Sequence, residues 1–194
     1  MTTARRSLPY PLLALLLAVL SLPGCSLGPP DPKPVPRDRP LPSCDALVPA
    51  LISLGMGRLD PQPSPSSDLT PAQRACSFEP SERPAPPAIL SATVSVALPR
   101  IDPDRGVTVK RWGEMWVDKP CEGLQRPVSS IAKATFCYTA VSADSGSAGL
   151  VGLPDDIGIE VRVHWWDPEA DQTTLRADAE QKAEALATHL IALL

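Results

Sequence analysis

The residue whose surroundings most clearly prescribe a reaction is Cys25, the last residue of Leu22-Pro23-Gly24-Cys25. A cysteine that closes such a lipobox-like tetrapeptide is an acceptor for a diacylglyceryl group. Its thiol is alkylated, the preceding peptide is cut away, and the residue becomes a lipidated N-terminus whose palmitate-type chains hold the membrane. The residues before it agree. Arg5 and Arg6 supply a positive start, and residues 12–20 form a short aliphatic run, well under the about 20 apolar residues of a transmembrane helix. The Arg5-Arg6 pair touches on twin-arginine export, but its flanks match that signal poorly, so the general secretory route is expected.

The four remaining cysteines, Cys44, Cys76, Cys121 and Cys137, are an even set in an exported chain and read as two disulfides with three possible connectivities. None belongs to a C-x-x-C pair, and both histidines lie far from them in sequence, so no metal site is expected. Two other segments approach chemical motifs. Ser145-Gly146-Ser147-Ala148-Gly149 differs from the G-x-S-x-G nucleophile elbow by its first residue, and its small residues suggest a flexible loop. Asp102-Pro103-Asp104-Arg105-Gly106 opens like a calcium loop, but Gly113 stands where the twelfth-position acid belongs, so a turn between strands is expected.

Glu160, Arg162 and His164 share one face of an alternating segment, the usual pattern of an exposed strand of mixed charge. A His beside carboxylates can do acid–base work, but the exposed-strand reading outweighs a site. We expect no catalytic residues, no enzyme activity and no cofactor. The tryptophans carry more. Trp112, Trp116, Trp165 and Trp166 crowd into one part of a chain poor in aromatics. Trp165 falls on the core side of its strand and Trp166 on the other side, with His164. Trp112 and Trp116 fit a hairpin or one helical turn. Exposed Trp stacks on sugars or packs into protein partners, so the candidate ligand or partner surface is Trp112, Trp116, His164 and Trp166.

The elements that must position these residues read as one α+β domain. Residues 1–24 are the export signal, residues 25–43 are the lipidated cysteine and a tether, and residues 44–194 are the folded part. The tether holds seven prolines between residues 26 and 43. It favours extended polyproline II, which at about 3.1 Å per residue holds a domain some 50 Å from the bilayer. Pro49 starts a short helix that Gly55 stops. Residues 58–73 and 79–87 are Pro-rich excursions. Strands are expected from the alternation of residues 90–98, 134–140 and 157–165, with Val107-Thr108-Val109 opening another. From Thr173 onward, Leu175, Ala179, Ala183, Leu186, Leu190 and Leu193 recur at helical spacing, an amphipathic C-terminal helix for an antiparallel sheet.

Two stretches also look alike. Cys44-Asp45-Ala46-Leu47 followed by Cys76-Ser77-Phe78 is echoed by Cys121-Glu122-Gly123-Leu124 followed by Phe136-Cys137-Tyr138. Read as an internal duplication, they make Cys44–Cys76 and Cys121–Cys137 the natural pairs.

Loss of Arg5 and Arg6 with the signal moves the formal charge from −4 to −6. That acidity argues against nucleic acid and against charge-driven binding to anionic lipid. Abundant Arg, Pro and Ala suggest a GC-rich genome. The lipobox, the Pro-rich spacer, Cys44-Asp45-Ala46-Leu47, Pro49, Leu54-Gly55 and Cys76-Ser77-Phe78 together resemble actinobacterial envelope lipoproteins of a domain-of-unknown-function family. The likeness covers residues 22–78 best. Phe78 stands where Trp is common, Val48 where a Ser or Thr cap is common, and the C-terminal helix lacks a cysteine that relatives often carry. The resemblance implies an extracytoplasmic, lipid-anchored location and no established activity. The expected function is a binding module for a protein, glycan or small ligand. An accessory or scaffold subunit of an envelope complex is the alternative, and a hydrolase ranks third.

Overall fold

The computed structural model describes residues 40–59, 73–99, 108–118, 121 and 126–194. The export signal, Cys25, nearly all of the tether, most of the 58–73 excursion and the calcium-loop-like Asp102-Pro103-Asp104-Arg105-Gly106 lie outside these residues. The fold is α+β. A six-stranded sheet has the order β1-β2-β6-β5-β4-β3, and every neighbouring pair is antiparallel. Its strands are β1 (Gln73–Phe78), β2 (Ala88–Ala97), β3 (Arg126–Pro127), β4 (Ala134–Val141), β5 (Ser145–Gly152) and β6 (Gly158–Trp166). The helices are α1 (Val48–Ser53), α2 (Val109–Asp118) and α3 (Gln172–Leu193). Among the described residues no helix is long and apolar enough to cross a membrane.

The two faces of the sheet differ in chemistry because side chains alternate along each strand. On one face the register lines up Cys76, Val94, Val161, Leu150 and Phe136 across five strands. All five are buried in the main core. α3 lies on this face and sinks Leu175, Ala179, Ala183, Leu186, Ala187 and Leu190 into it. The expected stripe stops there, since Leu193 is 38% exposed. Asp171 caps the helix, its carboxylate accepting the Thr174 amide at 2.8 Å, and that bond holds the Asp171 carboxyl below its usual range. α1 adds Leu51 to the same core, and Gly55 ends it in the left-handed region at φ 95°.

The disulfides are Cys44–Cys76, with Cα atoms 5.7 Å apart, and Cys121–Cys137, at 4.5 Å. Both are the pairs within each look-alike stretch. The stretches themselves are arranged differently. Cys44 precedes a helix and its disulfide joins the main core, whereas Cys121 follows α2 and packs with Cys137, Val151, Trp116 and Val117 in a separate cluster.

Two local expectations are overturned. Val109 begins helix α2 rather than a strand. Ser145-Gly146-Ser147-Ala148-Gly149 is not a loop but the first part of β5, hydrogen-bonded on both sides. Small residues suit this strand because its neighbours come very close. A Cβ at Gly146 would stand 2.5 Å from the Leu175 carbonyl oxygen, so Gly146 lets the first turn of α3 approach the sheet backbone.

Candidate functional site

The opposite face of the sheet carries the candidate residues. Along β6 it presents Gly158, Glu160, Arg162, His164 and Trp166, alternating with the buried Ile159, Val161, Val163 and Trp165. Trp165 and Trp166 therefore point as the alternation of the sequence requires. Cross-strand register extends β6 into rows. Ser77, Thr93, Arg162, Gly149 and Tyr138 form one row, and Ser91, His164, Ser147 and Ala140 form the next. Strands about 4.8 Å apart make this a regular grid of hydroxyls and charges. Thr93, Arg162, Tyr138 and Ala140 are exposed.

α2 covers one end of this face. Trp112 and Trp116 stack with ring centroids 5.5 Å apart and planes 20° from parallel. They close on Gly158, where a Cβ would lie 2.5 Å from Trp116 and 2.8 Å from Trp112. The Trp116 indole donates to the Ile159 carbonyl at 3.3 Å. Trp112 is only 9% exposed. The pair closes the end of the sheet, with Trp112 buried and Trp116 half-buried beside it.

Trp166 sits eight residues further along β6, about 27 Å away at the rise of a strand. The structure brings His164 and Trp166 together and separates them from the Trp112–Trp116 pair. Arg83, from the loop before β2, lies over the Trp166 ring at 4.3 Å, a cation–π contact. The buried Trp166 indole N–H finds no acceptor among the described residues.

Sequence reasoning missed Tyr138, Arg83 and Thr93. Simple alternation puts Tyr138 beside Phe136 on the core face. A β-bulge between them changes that: Phe136 pairs with Leu150, but Tyr138 pairs with Gly149 and emerges on the open face. Its ring lies against Gly149, where a Cβ would overlap it. Partial burial raises the Tyr138 pKa above 10.0; Arg162, whose guanidinium lies 5.9 Å from the ring, pulls it down, and Glu160 pushes it up. Glu160 accepts from Arg162 Nε at 2.6 Å. No sequence signal marks the bulge itself.

The arrangement can bind by hydrogen bonding and by aromatic contact. Ser91 and Ser147 flank His164 in register, but no hydrogen bond joins either to His164 among the described residues. No group of three or more His, Cys, Asp or Glu among the described residues is placed to hold a metal ion. No protein-family model, curated protein or solved structure matches this chain.

Proposed function

We propose that the protein is a binding module of the bacterial envelope, anchored by lipid on Cys25 to the extracytoplasmic face of the membrane. Its ligand surface is the open sheet face centred on Arg162, His164, Tyr138 and Trp166. The placement outside the cell rests on the sequence: the lipobox, the export signal and the resemblance to actinobacterial envelope lipoproteins. One structural observation carries the binding role. Ser77, Ser91, Thr93, Ser95, Ser147 and His164 share one sheet face, and none spends its side chain on an internal hydrogen bond among the described residues. A row of polar groups left free for an outside partner supports recognition more than packing. A scaffold subunit calls for a broad apolar patch. The exposed large hydrophobics among the described residues are three separate side chains, Ile52, Tyr138 and Leu193, which favours the binding module.

The test is affinity capture from cell envelopes by the lipidated protein, compared with Arg162→Glu and Tyr138→Ala. Both variants are expected to fold and to lose at least tenfold of the recovered partner, whether protein or glycan. Undiminished capture by both would contradict the placement of the site. Cys25→Ala, followed by fractionation, is expected to abolish palmitate labelling; persistent labelling would contradict the anchor.

A further inference from the structure

A second feature lies away from the open face. The β3–β4 turn, the β5–β6 connection and the end of α3 line a half-open cleft of about 320 Å³, within the size range of small-ligand pockets. Ile131, Leu153, Pro154 and Ile191 give it an apolar floor, and Ser130, Lys133, Asp155 and Thr188 a polar rim.

Its walls are tied together. The Leu153 amide donates to the Lys133 carbonyl at 3.2 Å, and the Lys133 ammonium meets Asp156 at 3.3 Å. Lys133, Asp155 and Asp156, the three non-glycine residues with positive φ among the described residues, all belong to these two loops. One backbone hydrogen bond and one ion pair thus join the two loops beside the cleft.

The charge at its mouth selects the ligand. Lys133 is the one cation of the lining, and Asp156 already neutralises it. Glu184, one turn before Thr188, accepts from Ser130. Asp155 has no ion-pair or hydrogen-bond partner among the described residues. The last turn of α3 carries no basic residue, so the negative end of its helix dipole is uncompensated there. Excess negative charge above an apolar floor fits a primary ammonium group on a short aliphatic chain. No aromatic ring lines the cleft, so nothing forms the cage that a quaternary ammonium uses. We propose that this cleft binds such an alkylammonium group, with Asp155 receiving the ammonium and Ile131 and Ile191 packing on the chain. A free diamine and a peptide lysine side chain share this chemistry.

The experiment uses the lipidated protein in phosphatidylcholine nanodiscs with isotope-labelled isoleucine methyl groups. Butylammonium is titrated against butyrate, and butane-1,4-diamine against Nα-acetyl-lysine amide. Saturable shifts are expected at Ile131 and Ile191 and not at the deeply buried Ile89 and Ile159, with butyrate at least tenfold weaker. The second pair separates the two sources, and failure of both amines overturns the proposal. Asp155→Asn is expected to weaken butylammonium at least tenfold, because asparagine tolerates the left-handed backbone but lacks the charge. Equal binding of butyrate, shifts spread over all isoleucines, or an unaffected Asp155→Asn would each overturn it. The ammonium-to-carboxylate comparison needs no variant and stands even if that substitution perturbs the loop.

Discussion

At the scale of single residues, the open face is an electrostatic unit that one side chain reports. The chain has two tyrosines, Tyr10 and Tyr138, so phenolate absorbance of a form that begins at Cys25 follows Tyr138 alone. Its midpoint is expected above 10.0, because burial favours the neutral ring. Glu160→Gln should lower that midpoint and Arg162→Ala should raise it; the opposite pair of shifts would contradict the geometry. The sign for stability follows. A folded pKa above the unfolded one gives stability that is fully present below the unfolded pKa and lost as pH rises through the folded value. Alkaline destabilisation should therefore shrink in Tyr138→Phe. The outward direction of His164 and Trp166 was legible from period-two alternation. That of Tyr138 was not, because a bulge is decided by how two strands meet rather than by the residues of one strand.

At the scale of elements, legibility followed the contrast between the two sides of each element. β2 and β6 alternate apolar with polar residues, and α3 carries one apolar stripe, so these were readable in position and face. β5 has almost no such contrast. Its Ser and Gly residues resemble a linker because what selects them lies elsewhere in sequence: the Leu175 carbonyl above Gly146 and the Tyr138 ring above Gly149. Gly146→Ala tests this directly. The new methyl group meets backbone rather than a flexible side chain, so either α3 or the strand must shift. A loss of about 1–3 kcal/mol is expected, measured by urea denaturation, and an unchanged midpoint would contradict the close approach of α3. α2 was only half legible: Val107-Thr108-Val109 has strand propensity, and the spacing of Trp112 and Trp116 fitted a hairpin as well as the helical turn on which they stack and seat on Gly158.

At the scale of the whole molecule, the sheet divides the labour. One face and α3 supply the core, and Cys44–Cys76 ties β1 to the chain just beyond the Pro-rich segment. The other face, closed at one end by α2, is the one we propose for a partner. The α+β class and the presence of two disulfides were legible because hydrophobic period and cysteine parity are properties of the chain itself; the pairing, Cys44–Cys76 and Cys121–Cys137, followed only from the two look-alike stretches. The candidate site was half legible. Trp112, Trp116 and Trp166, near one another in sequence, suggested with His164 a single surface, but strand length puts Trp112 and Trp116 at one end of the face and Trp166 at the other.

The central claim is that this open face meets an envelope partner in the cell. The most direct measurement places a photo-crosslinking amino acid at Thr93, exposed in the middle of the face, and separately at Arg176, exposed on α3. Irradiation of living cells should give a discrete adduct from position 93 and none from position 176. An adduct from position 176 alone, or none from position 93, would contradict the account.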